Sequence, residues 1–291
     1  MISNLYDHNI LLLVVLIIVI ICVAFFYTTL KQQQSAPYNK EGFTNSIETF
    51  TNKPSKRLSY DDIEVYLINL DRNTDRLEAF VEQYMNCDLN RKQINRLSAV
   101  DGQNIENIEE KVTSKAYDEI IEVETTGYRT KHYQLTRGAI GCYMSHMTVY
   151  ELIAKGDAPY GLIFEDDVVI DKNIFKKLNS VIENIPNDWD ILLLSCYCIV
   201  CEKMDVYYDT GKFFWLHCYI VKKSSVNTIL TYLQSNKIGK QIDSEMGDMI
   251  SMGLLKVYCL KESLCKQGNM FQTTIQTPMK IVPGINPWAL T

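Results

Sequence analysis

Three patterns of apolar and polar positions follow one another along the chain. Residues 10–27, ILLLVVLIIVIICVAFFY, carry no charge. At about 1.5 Å per residue this run spans roughly 27 Å, close to the hydrocarbon thickness of a bilayer. It lacks the basic flank, shorter core and small-residue cleavage site of a secretory signal. The expectation is an uncleaved membrane anchor over residues 10–30 behind a short N-terminus, residues 1–9, with a cleaved signal peptide as the alternative. Residues 31–59 are polar, with a Gln-Gln-Gln-Ser-Ala-Pro stretch and no apolar period, and read as a linker or stalk.

From residue 60 to 291 the pattern is that of a folded domain. Short runs rich in β-branched and aromatic residues predict strands at Ile63–Leu70, Ile94–Val100, Leu162–Phe164, Trp189–Ser195, Phe213–Val221 and Leu255–Cys259. Between them, apolar residues recur at helical spacing. Leu77, Phe80, Val81 and Tyr84 mark one helix, and an acidic helix is expected around Ile105–Ile121. Ile140, Tyr143, Met144, Met147 and Tyr150 mark another that stops at Gly156. Further helices are expected at Asn173–Ile185, from Ser224 or Ser225 to Leu233, and after Met246. The tail from Gln267 reads as irregular. Alternating strands and helices without an internal repeat predict an α/β domain with a mostly parallel central sheet.

Composition changes this picture little. The chain has 291 residues, 47% hydrophobic and 22% charged, with a formal net charge of −6. That balance, with no basic stripe, argues against nucleic acid as a partner. Cys198 and Cys201 form a single C-x-x-C with no second pair, which argues against structural zinc. A domain of this size needs no staples, so reduced, mostly buried thiols are expected.

The candidate chemistry gathers at two strand ends, where open α/β sheets bind ligands. Leu162–Phe164 runs directly into Glu165, Asp166 and Asp167. Strand alternation would put Glu165 and Asp167 on one face and Asp166 on the other. Three partly buried acids repel one another, and a hard divalent cation shared with substrate phosphates would supply the counter-charge. A solvated acidic turn is the simpler alternative. The other strand end, Asn69-Leu-Asp-Arg-Asn-Thr-Asp-Arg76, offers Arg72 and Arg76 as phosphate or ribose contacts, or else a solvated helix start.

Five segments together closely resemble glycosyltransferase family 25, which includes lipooligosaccharide and collagen galactosyltransferases. Val65-Tyr-Leu-Ile-Asn-Leu-Asp-Arg72 with Asp75-Arg76 is similar to the family's opening strand and arginine turn. Arg96-Leu-Ser-Ala-Val-Asp-Gly102 is similar to its "AVDG" strand end, and Gly138–His146 to its "G-x-x-G-C-x-x-S-H" helix. Leu162–Asp167 is similar to its acidic motif, followed by Trp189-Asp190, and the surroundings of Asp243 to its late "P-[IV]-D" acid. The likeness covers about Glu64 to Gln267.

This resemblance implies a GT-A fold and a metal-dependent, inverting transfer of a hexose, galactose or glucose. The donor would be a nucleotide-diphosphate sugar, and the acceptor a hydroxyl of a glycan, a lipid-linked sugar or a protein. The implied cofactor is Mn²⁺, or Mg²⁺. Glu165 and Asp167 are the expected metal contacts. Asn69, Arg72, Arg76, His146 and Asp166 are the expected donor contacts. Asp243 is the expected general base or a further metal ligand, with Glu245 and Asp248 as alternatives. Two departures from the family, Gln241 in place of a proline and a sparse arginine cluster, bear on donor choice. A catalytically degenerate, membrane-tethered binding module is the competing reading. A nucleotidyltransferase would need a glycine-rich or basic triphosphate loop, which the sequence does not offer.

The side of the membrane is contested by two signals. Many tethered transferases of secretory pathways face the lumen. Here, however, no Lys or Arg precedes the anchor, whereas Lys31 and Lys40 follow it, which favours a cytosolic domain. The absence of an N-x-[ST] acceptor and the clustered cysteines point the same way.

Overall fold

In the computed structural model, residues 55–268, 273, 275, 276 and 278–280 are described. The segments expected as anchor and most of the linker lie outside the described residues, and no helix among those described is long and apolar enough to cross a membrane. Residues 55–59, read as linker, pack on the domain: Ser55 and Leu58 are buried, and Ser55 N–H donates to the Ile185 carbonyl.

Among the described residues ten strands form: β1 (Ile63–Asn69), β2 (Ile94–Ser98), β3 (Tyr160–Glu165), β4 (Val168–Ile170), β5 (Ile191–Leu193), β6 (Tyr197–Lys203), β7 (Tyr207–Phe214), β8 (Cys218–Lys222), β9 (Val257–Leu260) and β10 (Cys265–Gln267). Seven described α-helices accompany them: α1 (Thr74–Met85), α2 (Ile108–Lys111), α3 (Ser114–Thr126), α4 (Arg137–Lys155), α5 (Ile174–Val181), α6 (Lys223–Ser235) and α7 (Ile242–Ser251). The main sheet runs β2-β1-β3-β8-β5-β9-β7-β6, and β10 and β4 form a separate pair.

The sheet is mixed rather than mostly parallel. Only β1–β2, β1–β3 and β5–β9 are parallel; β3–β8, β5–β8, β7–β9 and β6–β7 are antiparallel. The reason lies in the connections. A helix crossover keeps strands parallel, whereas the Cys-rich segment after β5 folds back as the β6–β7 hairpin, and β8 then enters the middle of the sheet in the opposite sense.

Side-chain alternation divides the core between the two sheet faces. In β3, Ile163 belongs to one cluster, with Ile140, Tyr143 and Tyr150 of α4. Leu162 and Phe164 belong to the other, with Phe80 and Tyr84 of α1 and Trp189. All of these are essentially fully buried, which is the main source of stabilisation at about 25 cal/mol per Å². The segment predicted as one strand, Phe213–Val221, is split. Trp215 takes a left-handed backbone (φ 75°) and turns the chain between β7 and β8. A bulky residue rarely adopts this conformation, so periodicity could not reveal the break.

The cysteines also depart from expectation. Cys196 pairs with Cys259, Cys198 with Cys201 and Cys218 with Cys265 as disulfides, while Cys87 and Cys142 are free. These pairs join residues brought together by sheet pairing or by a bulged strand, geometry that spacing along the chain does not encode.

Candidate active site

Two sequence motifs build the wall of the site by fitting backbone to backbone. A Cβ on Gly141 would sit 2.5 Å from the Val100 carbonyl oxygen, and one on Gly102 would collide with the Arg137 carbonyl. Glycine at both places lets the loop after β2 lie directly on the first turns of α4. Ser145 completes the joint: its hydroxyl accepts from Val100 N–H (2.9 Å) and donates to the Gly141 carbonyl (2.7 Å). The joint fixes α4, and with it Cys142 and His146, against the end of β3.

The three acids after Phe164 have different environments. Asp166 turns to the α1 side, where Arg76 donates to Oδ1 (2.9 Å) and Asn69 donates to Oδ2 (2.7 Å). All three residues are buried. Asn69, Arg76 and Asp166, expected as donor contacts, therefore hold one another, although Arg76 and Asp166 also line a cavity. Arg72 is half exposed, ion-paired with Asp101, and lines the same cavity.

Glu165 turns to the α4 side. His146, fully buried, donates from Nε2 to Glu165 Oε1 (3.0 Å), and its Nδ1 is bonded to the Tyr219 hydroxyl (2.8 Å), which meets the Tyr150 hydroxyl (2.8 Å). Burial opposes the charge of Glu165, but the His146 hydrogen bond and charge outweigh it and hold the carboxyl below its usual range. His146 thus holds Glu165 from beneath and is not among the residues that line the cavity bearing Arg76 and Asp166.

Asp167 and Asp243 are shifted the opposite way from Glu165. Burial, then the neighbouring charge of Glu165, pushes the Asp167 carboxyl up to about 6. Its Oδ1 is buried with no partner among the described residues. Asp243, in the first turn of α7, is pushed up to about 6 by burial, although Ser244 N–H (2.7 Å) and Trp215 N–H (3.3 Å) donate to it. Glu245 is bonded to Tyr232 and Asp248 pairs with Lys240, and neither lines the cavities that hold Glu165.

Glu165 stands where two cavities adjoin. The first is lined by Arg72, Arg76, Asp101, Gly102, Asp166 and Asp167. The second is lined by Phe214, Trp215, His217, Gln241 and Asp243. Cys142, Glu165, Thr273 and Ile275 line both. His217 was not foreseen. It is buried, its two ring nitrogens have no partner among the described residues, and burial lowers its pKa so that the ring is neutral. Nothing in Trp-Leu-His-Cys distinguishes it until the chain turns at Trp215.

The donor types near Glu165 suit a divalent cation: among the described residues an Asp167 carboxylate oxygen and the neutral His217 imidazole have no partner, although their ligand atoms are not gathered at one point with that of Glu165. Among the described residues, Cys142, His146 and Glu165 alone offer one ligand atom each within 4.8 Å of one another. That set suits an ion less well: burial keeps the Cys142 thiol protonated, and both His146 nitrogens are already bonded.

Residues 62–246 match the family described as glycosyltransferase family 25 (LPS biosynthesis protein). The chain belongs to glycosyltransferase family 25. Among family 25 proteins it is similar to procollagen galactosyltransferase 2 of Homo sapiens, 29% identical over 136 residues, covering 45% of this chain and 20% of that protein. It is also similar to inactive glycosyltransferase 25 family member 3 of Homo sapiens, 29% identical over 151 residues, covering 49% and 23%. Procollagen galactosyltransferase 1 of Danio rerio is 25% identical over 152 residues, covering 49% and 22%. The matched region spans about a fifth of the length of these family 25 relatives.

Proposed function

We propose that this domain transfers a hexose, galactose first among candidates, from a nucleotide-diphosphate sugar to an acceptor hydroxyl with inversion. The observation that carries this reading is the convergence of Glu165, Asp167 and Asp243 where two cavities adjoin in a family 25 chain. The arginine-bearing cavity suits the nucleoside diphosphate, whose phosphates would meet Arg72 and Arg76. Glu165 and Asp167 would hold Mn²⁺ or Mg²⁺, with His217 as a further donor. When bound, the ion supplies Lewis-acid neutralisation of the departing diphosphate.

The remaining work belongs to the chain's own side chains. His146, locked by Tyr219 and Tyr150, keeps Glu165 ionised and oriented. Asp243 takes the proton of the acceptor hydroxyl as that oxygen bonds to the anomeric carbon. The electron pair of the breaking carbon–oxygen bond leaves with the nucleoside diphosphate. A carboxyl pushed up to about 6 is a stronger base than an ordinary aspartate yet still ionised at neutral pH.

The test is a nucleotide-sugar hydrolysis and transfer screen on the full chain with Mn²⁺. Hydrolysis of a nucleotide hexose that depends on the ion is expected. Donor binding without hydrolysis or transfer would favour the degenerate binding module, a reading kept in view because some relatives are named inactive.

The compartment belongs to the same proposal. The flanking charges favour the cytosol, but three disulfides favour an oxidising lumen. We give the disulfides more weight, because only two basic residues lie near the anchor. Resistance of the domain to protease on sealed microsomes is expected, and digestion before detergent is added would refute it.

A further inference from the structure

Beside Asp243 the edge of the sheet carries an aromatic ledge that the chemistry above does not use. Tyr197 of β6 and Phe214 of β7 are paired across the strands, their rings stacked at 6.4 Å and 11°. The Trp215 ring lies 5.5 Å from Tyr197. Tyr197 is 56% exposed and Trp215 43%, unusual for rings of this size. The ledge is also held in place. Trp215 keeps its left-handed backbone while its N–H donates to the Asp243 carboxylate, so the group read as the base also anchors the ring beside it. Phe214 and Trp215 line the cavity that contains Glu165 and Asp243. On the same lining, Gln241 Nε2 is buried with no acceptor among the described residues.

The chemistry that suits such a place is a ring with an apolar C–H face and a rim of hydroxyls. Polarised C–H groups stack on the negative face of an aromatic ring, while rim oxygens accept from an amide such as Gln241. A cationic side chain fits less well, because Lys115, Lys131 and Lys212 line the adjoining cavity. We propose that Tyr197, Phe214 and Trp215 form the acceptor subsite and that it takes a pyranoside, so the transferred sugar extends a glycan rather than starting on an amino-acid hydroxyl. The word acceptor rests on the transferase reading; the binding of a pyranose ring does not.

Saturation-transfer NMR on the full chain with methyl β-D-galactopyranoside and methyl β-D-glucopyranoside, without nucleotide sugar, tests this directly. Enhancement of ring C–H protons on one sugar face is expected. Trp215→Ala and the surface variant Tyr197→Ala should weaken binding by about threefold to tenfold, with Trp215→Tyr recovering most of it. Thermal unfolding measured in parallel separates loss of the ledge from loss of the fold. No enhancement in the wild type, or equal enhancement in both alanine variants, overturns the proposal. So does Trp215-dependent binding of a hydroxylysine-containing peptide in place of either pyranoside. If pyranosides bind through the ledge but no nucleotide sugar is bound, the transferase reading fails and the subsite stands.

Discussion

Asp166 and Asp167 are neighbours in the chain and opposites in the structure. Asp166 receives hydrogen bonds from Arg76 and Asn69, so its buried charge is fully compensated. Asp167 lies one residue on, with a buried oxygen that has no partner among the described residues and a carboxyl pushed up to about 6 by burial and Glu165. Asp243, from a distant helix, is pushed up to about 6 by burial as well, although both its oxygens accept backbone N–H bonds. The comparison teaches which carboxylates hold the fold and which are kept uncomfortable for chemistry. A satisfied buried ion pair is costly to break but does nothing further, whereas an uncompensated one awaits a ligand or a proton.

The comparison is sharpened most by neutralising the uncompensated acids. Asp167→Asn should lower transfer on the order of 10³-fold, because the principal charge offered to the cation is gone, while thermal stability holds or rises. Steady-state kinetics with parallel unfolding curves check this; near wild-type transfer with unchanged Mn²⁺ dependence would remove Asp167 from the metal set. The compensated acid should respond in reverse. Arg76→Met strands Asp166 without its cation and should cost about 3–5 kcal/mol, a fall in Tm of roughly 10 °C. Calorimetry on Arg76→Met and on Arg76→Met/Asp166→Leu should find the double variant more stable than the single one.

Asp243→Asn tests the second uncomfortable carboxylate. Its folded pKa is raised from 3.8 to about 6, so the folded state holds the proton more tightly than the unfolded chain. The associated stability is present below about pH 4 and is lost as pH rises through about 6. At pH 8 the aspartate therefore costs stability, and Asp243→Asn should recover about 1–3 kcal/mol while abolishing transfer. Denaturant titrations at pH 4.5 and pH 8 read the difference, which should shrink at the lower pH. The smallest effect is on the rate profile. With Asp243 as base, kcat/KM should fall about tenfold per unit below pH 6, where the Asp243 contribution to stability is gained rather than lost.

Much of this protein follows from the chain alone. Strand-like runs at 63–70 and 162–164 and helical spacing from Ile140 to Tyr150 became β1, β3 and α4, because long, strongly periodic segments bury the faces their spacing defines. Asp166 is separated from Glu165 as strand alternation suggests, but β3 ends at Glu165 and the turn over Asp166 and Asp167 makes the separation. Family membership was legible in the motifs, and the structure explains two of them: Gly102, Gly141 and Ser145 are required where backbone meets backbone.

Other properties were decided only by the tertiary fold. The sense of β8 within the sheet, the Cys196–Cys259 and Cys218–Cys265 disulfides and the turn at Trp215 depend on contacts between residues far apart in sequence. His217 became a candidate ligand only when that turn buried it beside Glu165, and only the fold shows that Arg76 holds Asp166 as well as lining a cavity. A residue's type limits what chemistry it can offer. Whether that chemistry is satisfied, or left waiting, depends on which partners the fold brings within about 3 Å.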